Sequence, residues 1–296
     1  MPRDTCRLEP ARKTHLVLTM KHINVQLDRV QISSSAPTGQ KPPLLKGYVI
    51  VRDCFVRCQT TTTTYGRCRH YNSLTNNSKI YWQYMRQKGW LKPWKITIVA
   101  DDKTGLSRDE IERVLRHCRS YQFLTVEIAI DFSPSTGVNK QYIRRHAVFG
   151  KSRRRAAKRN RLRYGSRKSD KLVRCYEKVE LGAYRVEPEV HSGLLRRNSI
   201  SVLGDLVRLP ELLCPKHFNL VDFDWDRLRR HLANKMRSSS DGVLAGARRR
   251  RTSILRLQRY LRRRGVFNTH RFLVQRTMNK DVTRALNQWA QKFNRE

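Results

Sequence analysis

The sequence of Tyr164–Lys178, YGSRKSDKLVRCYEK, combines a Gly-Ser turn with an alternating run of side chains. In its second half, Leu, Arg, Tyr and Lys occupy every other position, and Val, Cys and Glu lie between them. A period of two is typical of a strand, in which successive side chains point to opposite faces. The pattern therefore predicts a strand that presents Tyr176 between two cations, Arg174 and Lys178, on one face.

The chemistry of this face allows two interpretations. A phenol between cations is a plausible nucleophile, because positive charge lowers the cost of the phenolate and would also hold a phosphate. Alternatively, Tyr176 is a cross-strand residue that packs under the wall of a basic groove. The pattern alone favours the packing role, so the choice depends on the surrounding motifs.

The composition indicates a polyanionic partner. The chain of 296 residues has 63 Lys and Arg against 24 Asp and Glu, a formal charge of +39. Such an excess points first to nucleic acid and second to an anionic membrane surface. No run approaches the roughly 18 apolar residues of a transmembrane helix, and we find no secretory signal. Seven scattered cysteines fit a reducing compartment, so we expect a cytoplasmic protein without a membrane partner.

Changes in composition along the chain predict three regions. Residues 1–44 begin with an irregular charged stretch, expected to be partly disordered, and end in a loop rich in Ser, Gly and Pro. Residues 45–237 alternate strand and helix patterns and form the predicted main domain. Residues 238–296 are predicted to be a basic, helical C-terminal extension, with a flexible break over 238–246 before its arginine-rich helix.

Two further predicted strands carry carboxylates at alternating positions. Phe123–Phe132 places Glu127 and Asp131 on one face. The second strand, Gly182–Val190, presents three charged residues on one face: Arg185, Glu187 and Glu189. Carboxylates on an otherwise apolar strand are costly unless they are solvated, paired or bound to a metal. The faces are therefore either the solvated outside of a sheet or the parts of a metal or acid/base site.

If these strands neighbour the Tyr176 strand in an antiparallel sheet, the carboxylates and the tyrosine converge. Carboxylate oxygens suit Mg²⁺ or Mn²⁺, which prefer oxygen ligands. Such an ion polarises a scissile phosphate and stabilises the charge of an in-line displacement. We also expect the last strand to be bulged or at a sheet edge at Pro188, because proline cannot donate to a strand ladder.

Two basic segments are candidates for binding the phosphate backbone. Residues 151–168 contain ten cations and no acid, so they predict an arm against phosphates, and residues 248–264 predict an arginine-rich helix. We expect these segments to grip DNA largely without reading its sequence. The residues concerned are Arg153, Arg154, Arg155, Lys158, Arg159, Arg161, Arg163, Arg167, Lys168, Arg248, Arg249, Arg250 and Arg251.

The order of motifs over residues 90–200 resembles the Rep-trans family, the replication initiators of rolling-circle plasmids (the replication initiation factor family). In that family, a strand and helix precede an acidic strand, a Phe-Gly pair, a Gly-x-x-x-Ser turn, an Arg-x-Tyr-x-Lys strand and an Arg-Val-Glu-x-Glu strand. The matching segments here are residues 95–98, residues 126–132, Phe149-Gly150, Gly165 to Ser169, Arg174 to Lys178, and Arg185 to Glu189.

The resemblance implies roles for individual residues. Tyr176 matches the nicking tyrosine, and Asp131 and Glu187 match metal-site carboxylates. Glu127 takes the place of the family's first Asp, and Glu189 is a further candidate ligand. Three positions depart from the family: Glu127 is longer than Asp, Val126 stands where Arg is usual, and Pro188 interrupts the last strand.

By resemblance, the chain is an α+β protein with a central antiparallel sheet, flanking helices and a basic helical C-terminal extension. Residues 45–237 would then nick and rejoin single-stranded or cruciform origin DNA through a 5′-phosphotyrosine intermediate, starting rolling-circle replication of a plasmid or phage-like element. Arg174, Lys178 and Arg185 would neutralise phosphate, with Mg²⁺ or Mn²⁺ as the cofactor. A host helicase is implied as a partner, and the oligomeric state stays open, a dimer being one option.

Three other interpretations remain open. The same chemistry would serve a relaxase of an integrative conjugative element, which sequence does not separate from a replication initiator. A non-catalytic DNA- or RNA-binding protein on the same fold would hold Tyr176 far from the carboxylates. A ribosome-associated basic protein fits the charge but leaves the acidic strand faces unexplained.

Overall fold

The computed structural model describes residues 23–35, 42–54, 58–60, 63–85, 94–149, 154–155, 161–166, 169–214, 217–235, 240–251 and 253–296. The predicted disorder at the start of the chain lies outside these residues. Within them, the fold contains 14 strands. The strands are β1 (Ile23–Ser35), β2 (Tyr48–Cys54), β3 (Cys58–Thr60), β4 (Thr63–Ser73), β5 (Lys79–Met85), β6 (Trp94–Val99), β7 (Ser120–Phe132), β8 (Ala147–Val148), β9 (Arg154–Arg155), β10 (Arg161–Gly165), β11 (Lys171–Lys178), β12 (Ala183–His191), β13 (Asn219–Phe223) and β14 (Leu273–Gln275).

The described residues also form eight α-helices, and short 3₁₀ turns lie between some elements. The helices are α1 (Arg108–Leu115), α2 (Lys140–His146), α3 (Ser192–Arg197), α4 (Leu209–Leu213), α5 (Trp225–Lys235), α6 (Ser240–Arg249), α7 (Ile254–Arg263) and α8 (Met278–Arg295). The predicted capping box at the start of α1 is present, with the Ser107 side chain accepting from the Glu110 backbone N–H. No helix among the described segments has both the length and the apolarity needed to cross a bilayer.

A large antiparallel sheet forms the centre of the molecule. Its strand order is β2-β4-β5-β6-β1-β7-β12-β11-β10-β9, and β3 pairs with β4 outside this path. The protein is thus a mixed α/β molecule compatible with the predicted α+β class. The three strands expected to be neighbours, β7, β12 and β11, lie side by side and antiparallel.

The sheet has one apolar face and one polar face because its strands alternate. Side chains such as Ile130, Val186 and Cys175 point into the main core and have no exposed surface. The alternate positions of the same strands carry the charged residues. This alternation places the predicted site on the face of the sheet opposite the main core.

β1 overturns the expected division at residue 44. Residues 23–35 lie between β6 and β7 and pair with both strands, so they belong to the middle of the sheet. The register shifts between Leu27 and Arg29, which marks a β-bulge at Asp28. A bulge adds one residue and reverses the alternation beyond it. The apolar positions therefore change phase within the strand, and a uniform period of two does not reveal it.

The C-terminal region also differs from the prediction of one extension. α8 contacts β1, and its buried residues Val282, Leu286 and Phe293 belong to the main core. A second core, which includes Val221, lies among β13, α5, α6 and α7. The flexible break was expected over 238–246, but the described part of it, from residue 240 on, lies in α6, which continues to Arg249. The last helix therefore returns to the sheet because its apolar stripe is buried there.

Pro188 lies neither at an edge nor at a bulge. β12 is an interior strand, and Pro188 faces Val173 of β11 in an unbroken register. On the other side of β12, the paired positions to β7 stop at Val186 and resume at Glu189 in the same register. The missing N–H of proline is thus accommodated by a short gap in one ladder.

Candidate active site

Cross-strand pairing brings the predicted site residues together at the centre of the polar face. Tyr176 lies opposite Arg185, and Arg174 lies opposite Glu187. On the other side of β12, Arg185 lies opposite Asp131 of β7. Directly opposed side chains are about 5 Å apart at Cβ. The register therefore places the tyrosine, the cations and the carboxylates within contact distance of one another.

Three carboxylates form a cluster that could hold a metal ion. One oxygen each of Asp28, Glu127 and Glu187 lies within 4.8 Å of the others, and all three residues are buried. Both oxygens of Glu127 are buried, and cationic side chains lie against them, Arg174 at Oε1 and Arg29 at Oε2. Three buried carboxylates in one place are costly without compensating positive charge, and a hard divalent cation suits carboxylate oxygens as ligands. The donor set therefore fits Mg²⁺ or Mn²⁺.

Arg174 is the counterion of this cluster. Its guanidinium forms ion pairs with Glu127 and with Glu187, the latter at 3.0 Å from Nε to Oε2. A weaker approach joins it to Glu189 at 3.7 Å, and Arg29 approaches Glu127 at 3.5 Å. The cations thus compensate much of the buried negative charge.

Arg185 and Asp131 form a buried ion pair. Nε and Nη2 of Arg185 donate to the two oxygens of Asp131 at 2.6 and 2.8 Å, a bidentate arrangement. Nη1 approaches Asp28 at 3.4 Å and Asp102 at 3.3 Å. Arg185 has no exposed surface. The structure therefore differs from the expectation that Arg185 contacts phosphate, and it places Asp131 against a cation, outside the three-carboxylate cluster.

Tyr176 is joined to the cluster through Glu187. Its hydroxyl donates a hydrogen bond to Oε1 of Glu187, and the guanidinium of Arg161 lies 5.3 Å from its ring centroid. Burial raises the pKa of Tyr176, and the charge of Glu187 and its hydrogen bond raise that pKa further. The local field thus opposes phenolate formation, in contrast to the expectation drawn from the flanking cations. A reaction at Tyr176 requires a proton acceptor, and Glu187 is in place for that role.

Burial also changes the pKa of the carboxylates. Desolvation, with the charge of Glu187, raises the pKa of Asp28 to about 6. For Glu189, burial alone would raise the pKa, but the hydrogen bond with His191 and the charge of Arg174 lower it overall. His191 lies 2.9 Å from Glu189. Glu189 is therefore already paired at the rim of the cluster.

A cleft of about 530 Å³ opens beside these residues. Asp28, Glu187 and Tyr176 line it, together with the cations Arg161 and Lys178. Lys178 also pairs with Asp102 at 2.7 Å. The cleft thus combines a hydroxyl, carboxylates and cations in one space, which is the chemistry that a phosphodiester substrate requires.

The other predicted DNA contacts are dispersed. Arg163 lies opposite Arg174 in the sheet, and Arg248 to Arg251 are exposed at the end of α6, where no described contact links them to the cleft. Arg154 and Arg155 form the short strand β9, which pairs with β10. The remaining predicted contacts lie outside the described residues: Arg153, Lys158, Arg159, Arg167 and Lys168.

Three site residues escaped the sequence patterns. Asp28 and Arg29 lie at the bulge in β1, and Asp102 lies in the turn after β6. The run Ile23–Ile32 contains a signal, since its apolar residues alternate on both sides of Asp28. A search that permits one change of phase would have identified both the strand and its central carboxylate.

Comparisons with known proteins give no family assignment. No protein-family model matches the chain, and no curated protein matches it.

Proposed function

We propose that this protein is a metal-dependent enzyme that nicks and rejoins single-stranded DNA, with Tyr176 as the nucleophile. One observation carries the proposal: the Tyr176 hydroxyl donates to Glu187, a member of the buried cluster with Asp28 and Glu127, in an open cleft that is also lined by cations. The hydrogen bond places the phenol proton on a carboxylate that can accept it and that belongs to a cluster suited to a metal, which is the arrangement a tyrosine nucleophile needs.

The hydrogen bond defines the direction of proton transfer. As Tyr176 Oη forms a bond to phosphorus, its proton passes to Glu187 Oε1, and the bond between phosphorus and the 3′ oxygen breaks. The departing 3′ oxygen takes a proton from solvent and becomes a free 3′-OH, and Glu187 returns its proton to solvent. The phosphotyrosine link conserves the energy of the bond, so attack by the 3′-OH reverses the step and rejoins the strand.

The cations of the cleft hold the phosphate. Lys178 and Arg161 line the cleft and can reach a phosphate that enters from solvent. Asp28, Glu127 and Glu187 would hold Mg²⁺ or Mn²⁺, which would polarise the scissile phosphate. Arg174 already contacts Glu127 and Glu187. It therefore adjusts the charge of the cluster and lies within reach of the same phosphate.

The biological setting follows from the resemblance of the motifs. We propose a Rep-trans-like nuclease fold and a role in starting rolling-circle replication, with a helicase as partner, in the cytoplasm. The free thiols of Cys118, Cys175 and Cys214 accord with a reducing compartment. A relaxase would use the same site.

The test is a covalent-complex assay. Purified protein is incubated with labelled single-stranded oligonucleotides from the neighbourhood of its own gene, with Mn²⁺ or with EDTA, and run on a denaturing gel. We expect a covalent band that requires Mn²⁺ and is absent for Tyr176→Phe. If wild type binds these oligonucleotides but forms no such band on any of them, the nicking activity is refuted.

The charge balance of the cluster favours a second candidate, a non-catalytic nucleic-acid-binding protein. Arg174 and Arg185 compensate the buried carboxylates without a metal, and such ion pairs are also found in purely structural sites. In that case Mn²⁺ would leave the thermal stability unchanged, and Tyr176→Phe would bind DNA as wild type does. A metal-induced increase in stability excludes this candidate.

A further inference from the structure

The polar face of the large sheet continues beyond the cleft onto the strands β1, β6, β5 and β4. In the register, Arg29 faces Glu127 on one side and Val99 on the other, and Val99 faces Lys79. The cleft itself is lined by Lys79 as well as by Tyr176. The site and this second half of the face therefore form one continuous surface.

The alternation of these strands separates their two faces. Trp82, Ile96 and Ile98 point into the main core and have no exposed surface. The opposite positions carry Lys79, which is exposed, and Lys95, which is half-buried. Their neighbours on the polar side are Arg29, Gln31, Arg52, His70, Tyr81 and Gln83.

The strands of this half of the face add positive charge, and the acids near it, Glu127 beside Arg29 and Glu189 near Lys95, lie on β7 and β12. The sequences of β4, β5 and β6 contain no Asp or Glu. Burial lowers the pKa of Lys95, and the nearby charge of Arg29 lowers it further. A polyanion on this surface would supply negative charge to Lys79, which is exposed, and to Lys95, which is half-buried.

Two aromatic rings lie within the same surface. Tyr81 lies opposite His70 in the register, and the rings meet edge to face with centroids 4.8 Å apart. Both rings are half-buried, so part of each reaches solvent. Surfaces that bind single strands combine cations that follow the backbone with rings on which bases stack. Duplex DNA keeps its bases paired and would not use the rings.

We propose that the polar face of β1, β6, β5 and β4 binds single-stranded DNA, with Arg29, Lys79 and Lys95 on phosphates and Tyr81 against a base. Tyr81 lies five strands from Tyr176, at least roughly 24 Å across the sheet at the spacing of its strands, and its row of paired residues is also displaced along the strands. The bound segment of DNA therefore flanks the phosphate in the cleft, and this position rests on the proposed function. The single-strand binding itself does not rest on it.

The test measures fluorescence anisotropy of a labelled 20-nucleotide single strand over a range of salt concentrations. All proteins carry Tyr176→Phe, so that cleavage does not interfere. The variants are Lys79→Gln with Lys95→Gln, and separately Tyr81→Leu. The matched control is Arg284→Gln, because Arg284 is exposed on α8, remote from this face in the sequence and the fold.

We expect the double lysine variant to flatten the dependence of log K on log salt by about 1.4, since each phosphate contact on a single strand contributes about 0.7. Tyr81→Leu weakens binding about fivefold or more, and it leaves binding to a duplex of the same sequence unchanged. With 5-iododeoxyuridine in the oligonucleotide, light should cross-link the strand to Tyr81, as identified by mass spectrometry.

Variants that bind like Arg284→Gln, or that weaken single strand and duplex equally, overturn the proposal. Thermal unfolding tests whether each variant folds. If the other variants do not fold, Lys79→Gln alone is measured, because Lys79 is exposed and its substitution leaves the core intact. If wild type never forms the covalent band but Tyr81→Leu still weakens single-strand binding, the nicking function fails and the binding face stands. If wild type nicks and the variants bind normally, only the binding face fails.

Discussion

The hydroxyl of Tyr176 donates to one oxygen of Glu187, while Nε of Arg174 donates to the other oxygen at 3.0 Å. Glu187 therefore joins the proposed nucleophile to the cation that balances the carboxylate cluster. The raised pKa of Tyr176 makes this link necessary, because the phenol has to lose its proton as it attacks.

Glu187→Gln should abolish proton acceptance while keeping the shape of the site. General-base catalysis contributes about 10²–10⁴-fold, so we expect the rate of covalent-complex formation to fall at least a hundredfold, with DNA affinity nearly unchanged. Single-turnover assays on denaturing gels measure the rate. Glu189→Gln is the matched control, because Glu189 pairs with His191, whereas the Tyr176 hydroxyl donates to Glu187. Equal losses in both variants would argue against the assigned role.

Asp28 makes stability depend on pH. Its pKa rises from 3.8 to about 6 in the fold, so the folded state holds a proton that the unfolded state loses between these values. Stability therefore decreases as pH rises from about 4 to 6, and the penalty is complete above that window. Asp28→Asn removes the penalty and should stabilise the metal-free protein at pH 7.5 by at most about 3 kcal/mol.

Urea denaturation at pH 4.5 and pH 7.5 measures this effect. The gain of Asp28→Asn should be smaller at the lower pH, and the variant should lose the stabilisation that Mn²⁺ gives to wild type. The control is Asn24→Ala, because Asn24 is exposed on the same strand and the substitution does not change the charge. A gain that does not change with pH would contradict the prediction.

Arg174 should compete with the metal for the cluster. Arg174→Gln removes the guanidinium that contacts Glu127 and Glu187, so Mn²⁺ should bind at least tenfold more tightly. Without Mn²⁺, the same variant should unfold at a lower temperature, because its buried carboxylates lose their counterion. Isothermal titration with Mn²⁺ measures the affinity. Arg163→Gln, the neighbour of Arg174 on β10, is the control, and an affinity for Mn²⁺ that stays the same in Arg174→Gln would exclude competition.

Regular elements were predictable from the sequence, and irregular ones were not. β6, the start of α1 and the acidic strand β7 follow from uninterrupted periodicity and a capping box. β1 was missed because its bulge at Asp28 reverses the alternation in mid-strand. The attachment of α8 was missed because a helix pattern shows that one stripe is buried and does not show against which element.

The sequence predicts which side chains share a face of each strand, but it does not predict which side chains pair across neighbouring strands. Alternation placed Tyr176, Glu187 and Glu127 on the same side of the sheet, and the structure brings them together. The pairing of Arg185 with Asp131 depends on the register of β12 against β7, which a single strand's pattern does not fix. The charge balance of the site could therefore be described only once the register of β12 against β7 was known.

α8 should be essential to the fold, although the sequence predicted that it belongs to a separate C-terminal extension. Leu286 has no exposed surface and lies in the main core against the sheet. Leu286→Ala should therefore lower the free energy of unfolding by about 2–5 kcal/mol, measured as a shift of the urea midpoint. Arg284→Ala, on the exposed side of the same helix, should change it by less than about 0.5 kcal/mol. If both variants unfold at the wild-type midpoint, α8 does not stabilise the sheet, and the chain would fold without its last helix.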